Sequence, residues 1–158
     1  MDTATRDRLI QDYVSGPTTL RNAVRNLTRE QLTCRPVAGK MSILEVVCHI
    51  VDFDPVYVER MKRTITMDRP ALLGADENVF LQKLSYHHRD LNEELTILEL
   101  TRSSMAKILK HLSLDAWDRE GIHNERGPMT LAKMVENMIN HIPHHVKFIE
   151  EKRKVLGV

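Results

Sequence analysis

Aromatic side chains are scarce in this sequence, with one Trp, three Tyr and three Phe among 158 residues. Charge of one sign is scarce as well. Lys and Arg total 23 against 22 Asp and Glu, and no basic block interleaved with aromatics tracks a phosphate backbone. Nucleic acid is therefore not the expected partner. Long apolar runs are missing too: no stretch approaches the ~20 residues a membrane span requires. The N-terminus, MDTATRDRLIQDYV, is polar and charged, with no apolar signal region. A cytoplasmic protein with no membrane partner is expected. Cysteine is limited to Cys34 and Cys48, which form neither a C-x-x-C pair nor a secreted disulfide framework, so both thiols are expected to be reduced. No internal repeat, low-complexity segment or strand pattern is evident. One domain over residues 1–158 can bury roughly 70% of the surface its unfolded chain exposes, without disulfides.

Val, Leu, Ile and Met are abundant, and they recur every three or four residues, the signature of amphipathic helices. The spacing predicts four long helices. The first, about Thr5 to Leu27, buries Leu9, Tyr13, Leu20, Val24 and Leu27, and passes Gly16-Pro17 without a change of phase, as a kink and not a break. The second begins at Ser42, where Glu45 three residues on completes a capping box. Its inner face runs through Ile43, Val46, His49, Ile50, Phe53, Tyr57 and Met61. MDRPALLGADENV reads as a loop or short turn of helix. The third, about Phe80 to Leu112, carries Leu84, Leu91, Leu95, Leu98, Met105 and Leu109 at heptad-like spacing. After the turn-rich REGIHNERGP, Thr130 is the expected N-cap of a fourth helix to about Val155. An all-α four-helix bundle follows.

The fourth helix places histidines where core residues belong: its inner stripe reads Leu131, Met134, Met138, His141, His145, Phe148. Residues four apart lie about one turn, ~6 Å, from each other, so His141 and His145 can converge on one ion. His49, between Val46 and Phe53, points a third imidazole into the same core. Three buried imidazoles carry six ring nitrogens that must be desolvated or paired, and one divalent cation satisfies three at once. Hydrogen-bonded structural histidines are the alternative reading. Pro143 removes the bond to the Ile139 carbonyl and Pro55 acts alike on the second helix; the expected bends either open room for a substrate or curve the helices around the core. His144 falls to the side of His145, solvent-facing or behind the site.

The segments RPVAGKMSILEVVCHIVD, DRPALLG, GIHNERGPMTL and NHIPHHVKFIEEKR, in this order and spacing, resemble the DinB-like superfamily of four-helix metalloproteins. The first is similar to R-P-x-x-G-K-W-S-x-x-E-V-x-x-H-x-x-D, with Met41 in place of the tryptophan, and the last to an H-x-x-H-H ending. The resemblance covers nearly the whole chain. It implies an up-down-down-up bundle, often a homodimer, with His49, His141 and His145 as ligands of one divalent ion. It also implies a metal-dependent hydrolase or a low-molecular-weight-thiol S-transferase with a thiol cosubstrate; a non-enzymatic stress-associated metal-binding or interaction protein is the rival reading.

Three imidazoles with open positions suit catalysis better than a closed structural site, since a bound ion activates water or a thiol toward a small-molecule substrate. Imidazoles alone do not select among zinc, nickel, iron and manganese. Two residues are candidates for the chemistry itself. Asp52, three after His49, either accepts from an imidazole N–H or is a solvated or salt-bridged carboxylate. His88, between Leu84 and Leu91, either lines the pocket as an acid or base or makes one boundary hydrogen bond. Tyr57, Met61 and Leu84 are expected near His88 in shaping the pocket. Cys48 is expected to pack as a small buried group, Trp117 as an anchor and His123 as a loop hydrogen-bonder.

Overall fold

A computed structural model describes every residue from Met1 to Val158. The helices are α1 (Thr3–Ala23), α2 (Arg29–Thr33), α3 (Ile43–Thr66), α4 (Glu77–Lys83), α5 (Leu91–Lys110) and α6 (Leu131–Leu156). Each starts on a side chain that accepts a backbone N–H left free by the first turn: Asp2, Thr28, Ser42, Asp76, Asp90 and Thr130 in that order. The capping box of α3 is complete, since Glu45 N–H donates to Ser42 Oγ at 3.2 Å and Ser42 N–H donates to Glu45 Oε2 at 2.6 Å. At the other end of the chain, α6 stops on Gly157, whose φ of 73° no residue with a Cβ adopts cheaply. Pro17, Pro55 and Pro143 all lie inside continuous helices.

Two sequence expectations are corrected. The third helix does not run unbroken from Phe80. Instead α4 ends at Lys83, Ser85 turns left-handed at φ 52°, and Tyr86–His88 form a 3-10 turn before Asp90 opens α5. Apolar spacing continues in phase across this break, so periodicity alone does not reveal it. Strands are also present: β1 (Ala71–Leu72) pairs in parallel with β2 (Glu120–His123), which pairs antiparallel with β3 (Gly127–Thr130). They are too short to show period-two alternation. Gly121 is required in β2, because a Cβ there would lie 2.6 Å from Leu72 Cδ1.

The apolar core divides into two clusters, and these give the helix directions. One holds Leu20 and Val24 from the end of α1, Ile43 to Val51 from the start of α3, Leu95 and Leu98 from the start of α5, and Ile142 and Ile149 from the later part of α6. The other holds Tyr13, Met61, Met105 and Leu109, and Leu131 to Met138. Thus α1 and α6 run one way and α3 and α5 the other, an up-down-down-up bundle. Helix α1 packs on α5 and α6, and so does α3, which leaves α1 and α3 diagonal.

A buried ion pair joins all four long helices between the two clusters. Arg102 of α5 donates from Nε and Nη2 to Asp54 of α3 at 2.9 and 3.0 Å, and neither side chain is more than 1% exposed. Its Nη1 donates to the Tyr13 carbonyl and its Nη2 to the Met138 carbonyl, each at 3.0 Å. The Tyr13 carbonyl is free for this because Pro17, four residues on, has no N–H to offer it. Gly16 gives the guanidinium room, since a Cβ there would lie 2.4 Å from Nη1. Every nitrogen of the guanidinium and both oxygens of the carboxylate therefore gain a partner, the condition under which a buried charge pair is tolerated.

Candidate metal centre

His49 lies in the second turn of α3, and His141 and His145 lie one turn apart near the middle of α6. Because α3 and α6 are antiparallel neighbours, the start of one helix faces the end of the other, and the three rings meet. His49 Nε2 is 3.1 Å from His145 Nε2 and 3.3 Å from His141 Nε2. His49 and His145 are buried and His141 is partly buried. Phe53 stacks against His49 with centroids 4.6 Å apart, and Phe148 stands beside His145 at 5.8 Å.

These surroundings hold the rings neutral. The pKa of His141 is pushed down to about 3, first by burial and then by the His145 and His49 rings and the Arg102 cation. That of His145 is pushed down to about 4 by burial, His49, His144 and Lys152. Burial also lowers that of His49, against the opposing influence of Glu77 and Asp52. Neutral imidazole is the form that binds metal.

The donor set fits a divalent ion. With metal–nitrogen bonds of about 2.0–2.1 Å and tetrahedral angles, ligand nitrogens stand about 3.3 Å apart, close to the two observed separations. Protons alone satisfy this arrangement poorly: His49 Nε2 faces two other ring nitrogens but has either one N–H or one lone pair to offer. The Nδ1 atoms of His141 and His145 are buried and have no protein partner. No carboxylate or carbonyl of the chain stands behind either ring.

The other sequence candidates are placed as follows. Asp52 accepts from Arg89 Nη1 at 2.7 Å and makes no hydrogen bond to an imidazole. It belongs to a network in which Arg89 also holds Glu94. His88 is exposed in the 3-10 turn and does not line the cleft, because the break before α5 removes it from the inner stripe. Leu84 is exposed and Met61 fully buried, so of the residues expected to shape the pocket only Tyr57 does so. Cys48 is buried, its Sγ 3.8 Å from the Tyr86 carbonyl and its thiol pushed up to about 12. Trp117 is a fully buried anchor. His144 is exposed beside His145, with ring centroids 5.0 Å apart.

A cleft of about 470 Å³ opens over the three histidines. Three of its residues were not read as site residues in the sequence. Glu77, at the start of α4, brings Oε2 to 3.9 Å from His49 Nε2; only the Asp76 N-cap before it marks that turn. His123, expected to be a loop hydrogen-bonder, accepts at Nδ1 from Glu125 N–H at 3.2 Å, which leaves the ring proton on Nε2, and it also lines the cleft. Lys152 also lines the cleft; in the sequence it belongs to the charged run Glu150 to Lys154, which reads as a solvated face, whereas its side chain is buried.

Comparison with known proteins agrees with this architecture. A protein of Oceanobacillus iheyensis, whose name assigns it provisionally to the metal-dependent hydrolases, is 26% identical over 92% of this chain and 85% of its own length. YfiT of Bacillus subtilis, named in the same provisional way, is 24% identical over 96% of this chain and 86% of its own. The solved structure of YfiT, described as a four-helix bundle of unusual topology, matches with a TM-score of 0.92 over 99% of this chain and 90% of that one, at 23% identity. The model of the DinB superfamily matches residues 13–149, from the buried Tyr13 of α1 past both histidines of α6. The chain belongs to the DinB superfamily.

Proposed function

We propose that the chain is a metal-dependent enzyme, hydrolase-like, that holds one divalent cation on the Nε2 atoms of His49, His141 and His145 and acts on a small molecule bound in the cleft. The observation that carries this reading is the convergence of three neutral ring nitrogens within 4.8 Å of one another at the floor of an open cleft. A bound ion there supplies Lewis acidity, lowering the pKa of a water or thiol held beside it. Three protein ligands leave coordination positions free, as catalytic sites require. Glu77, whose carboxylate stands at the edge of the histidine cluster, would be the proton acceptor there. Phe53, half-buried against His49, gives the floor of the cleft an apolar wall.

The test is elemental analysis of the untagged protein beside His145→Ala, both dialysed against a trace mixture of zinc, nickel, iron and manganese. About one metal per chain in the parent and little in the variant is the expected result. If neither protein retains metal, the histidines are core residues and the enzymatic reading loses its mechanism. Glu77→Gln then separates the roles: it should retain metal and lose turnover on any substrate found with the preferred ion.

A further inference from the structure

The cleft has a feature that the histidines do not explain. Lys152 lies two turns beyond His145 on α6 and is only 2% exposed. Its Nζ donates to the Phe148 carbonyl at 3.1 Å and stands 5.9 Å from the centre of the Phe148 ring. Both contacts are to a residue one turn back in the same helix, and Lys152 takes part in no ion pair. The carboxylates that line the cleft, Glu77, Glu125 and Glu151, are all exposed side chains. An ammonium has three donors and a full charge, and burying it without a counter-ion is costly. A lysine near a helix end ordinarily avoids that cost by extending its amine to water. Here the amine stays in the wall of the cleft, beside which Lys40, from the turn before α3, adds a second cation. Lys152 is also near enough to the metal centre for its charge to be felt at His145.

We infer that the cleft selects small molecules bearing an oxyanion, a carboxylate or a phosphate, which Lys152 binds while the reacting part of the molecule reaches the three histidines. The second half of this inference rests on the metal centre proposed above. The oxyanion site itself does not require the ion. In this arrangement Lys152 is a binding and specificity residue whose missing counter-ion is the ligand. Lys40 closes over the bound group from the exposed side.

The probes are inorganic phosphate and succinate, each titrated by calorimetry into the full chain, metal-free and cobalt-loaded. The same titrations are run on Lys152→Met and Lys152→Arg. The parent should bind at least one of the two anions in both metal states, and the tighter one identifies the headgroup. Lys152→Arg should retain that binding, whereas Lys152→Met should weaken it by roughly tenfold or more. Lys152→Met should also melt at or above the parent's temperature, because it removes an uncompensated buried charge. Unchanged anion affinity in Lys152→Met, anion binding only in the cobalt-loaded protein, or no binding by the parent overturns the inference. A Lys152→Met protein that melts well below the parent makes the amine a structural element and overturns it too. Failure to bind cobalt, with Lys152-dependent anion binding intact, sinks the metal reading alone.

Discussion

Acidifying the metal-free protein from pH 7 to pH 5 should unfold it far more easily, and the histidine cluster sets the size of the effect. In the unfolded chain each imidazole titrates near 6.5. In the fold His141 and His145 stay neutral down to about 3 and about 4, because they are buried and face other imidazoles. The folded values lie below the unfolded ones, so the unfolded state binds more protons as the pH drops below 6.5, and stability falls with it. The loss continues until the folded values are reached, well below pH 5. At pH 5, 1.5 units below the ordinary histidine value, each of the two rings contributes a loss of about 2 kcal/mol. Together that is about 4 kcal/mol, a large part of the 5–15 kcal/mol typical of a domain. Urea unfolding followed by circular dichroism, at half-unit steps after exhaustive chelation, measures it directly. The double variant His141→Asn, His145→Asn supplies the reference, since neither asparagine titrates. A parent whose stability is level between pH 7 and pH 5, or a double variant that loses as much, would show that these rings are solvated and that the cluster does not form.

Other substitutions probe the scaffold. Arg102→Met should destabilise the protein by about 3–5 kcal/mol in denaturant titration, because it strands the Asp54 carboxylate in the core. Adding Asp54→Leu to that variant should restore much of the loss, and a double variant as unstable as the single one would mean that the carbonyl bonds and not the charge pair matter. Gly121→Ala should cost about 1–3 kcal/mol by driving a methyl into Leu72 and Thr64, seen as a lower melting temperature. Thr130→Ala removes the acceptor of the Lys133 N–H at the start of α6 and should cost about 1 kcal/mol, with metal content unchanged because the histidines lie three turns away.

How much of this was legible in the sequence depends on the range of the signal. The helix starts at Ser42 and Thr130 were legible because an N-cap is a local device, decided by one side chain and the next three residues. His141 and His145 were legible for the same reason, as a spacing on one helix. That His49 joins them was read from its place on the inner face of the second helix, and the family resemblance added the helix order that lets the three rings meet. The placing of His88 and Asp52 was decided by events that spacing does not record, and Asp52 took the salt-bridged of its two readings. A left-handed Ser85 and a new cap at Asp90 rotated His88 out to solvent, and Arg89, brought close by that same turn, captured the Asp52 carboxylate. Glu77, His123 and Lys152 were illegible because each reaches the cleft through tertiary packing, and a charge in a polar segment looks the same whether it faces water or a ligand.

The Arg102–Asp54 pair connects the scaffold to the site. Its guanidinium spans from the Tyr13 carbonyl, freed by Pro17, to the Met138 carbonyl of α6. Met138 is one turn before His141, so the bond that fixes the height of α6 against α1 and α5 also fixes the ligand helix against α3, which carries both Asp54 and His49. The same cation lowers the proton affinity of His141. A hydrophobic replacement of the pair can hold the four helices together, but it has no directional bond to set the register of α6. Such a protein should therefore regain most of its melting temperature while its metal affinity falls, and the Arg102→Met, Asp54→Leu double variant measures both. If it binds metal as tightly as the parent, packing alone sets the position of His141 and His145, and the ion pair serves only the core.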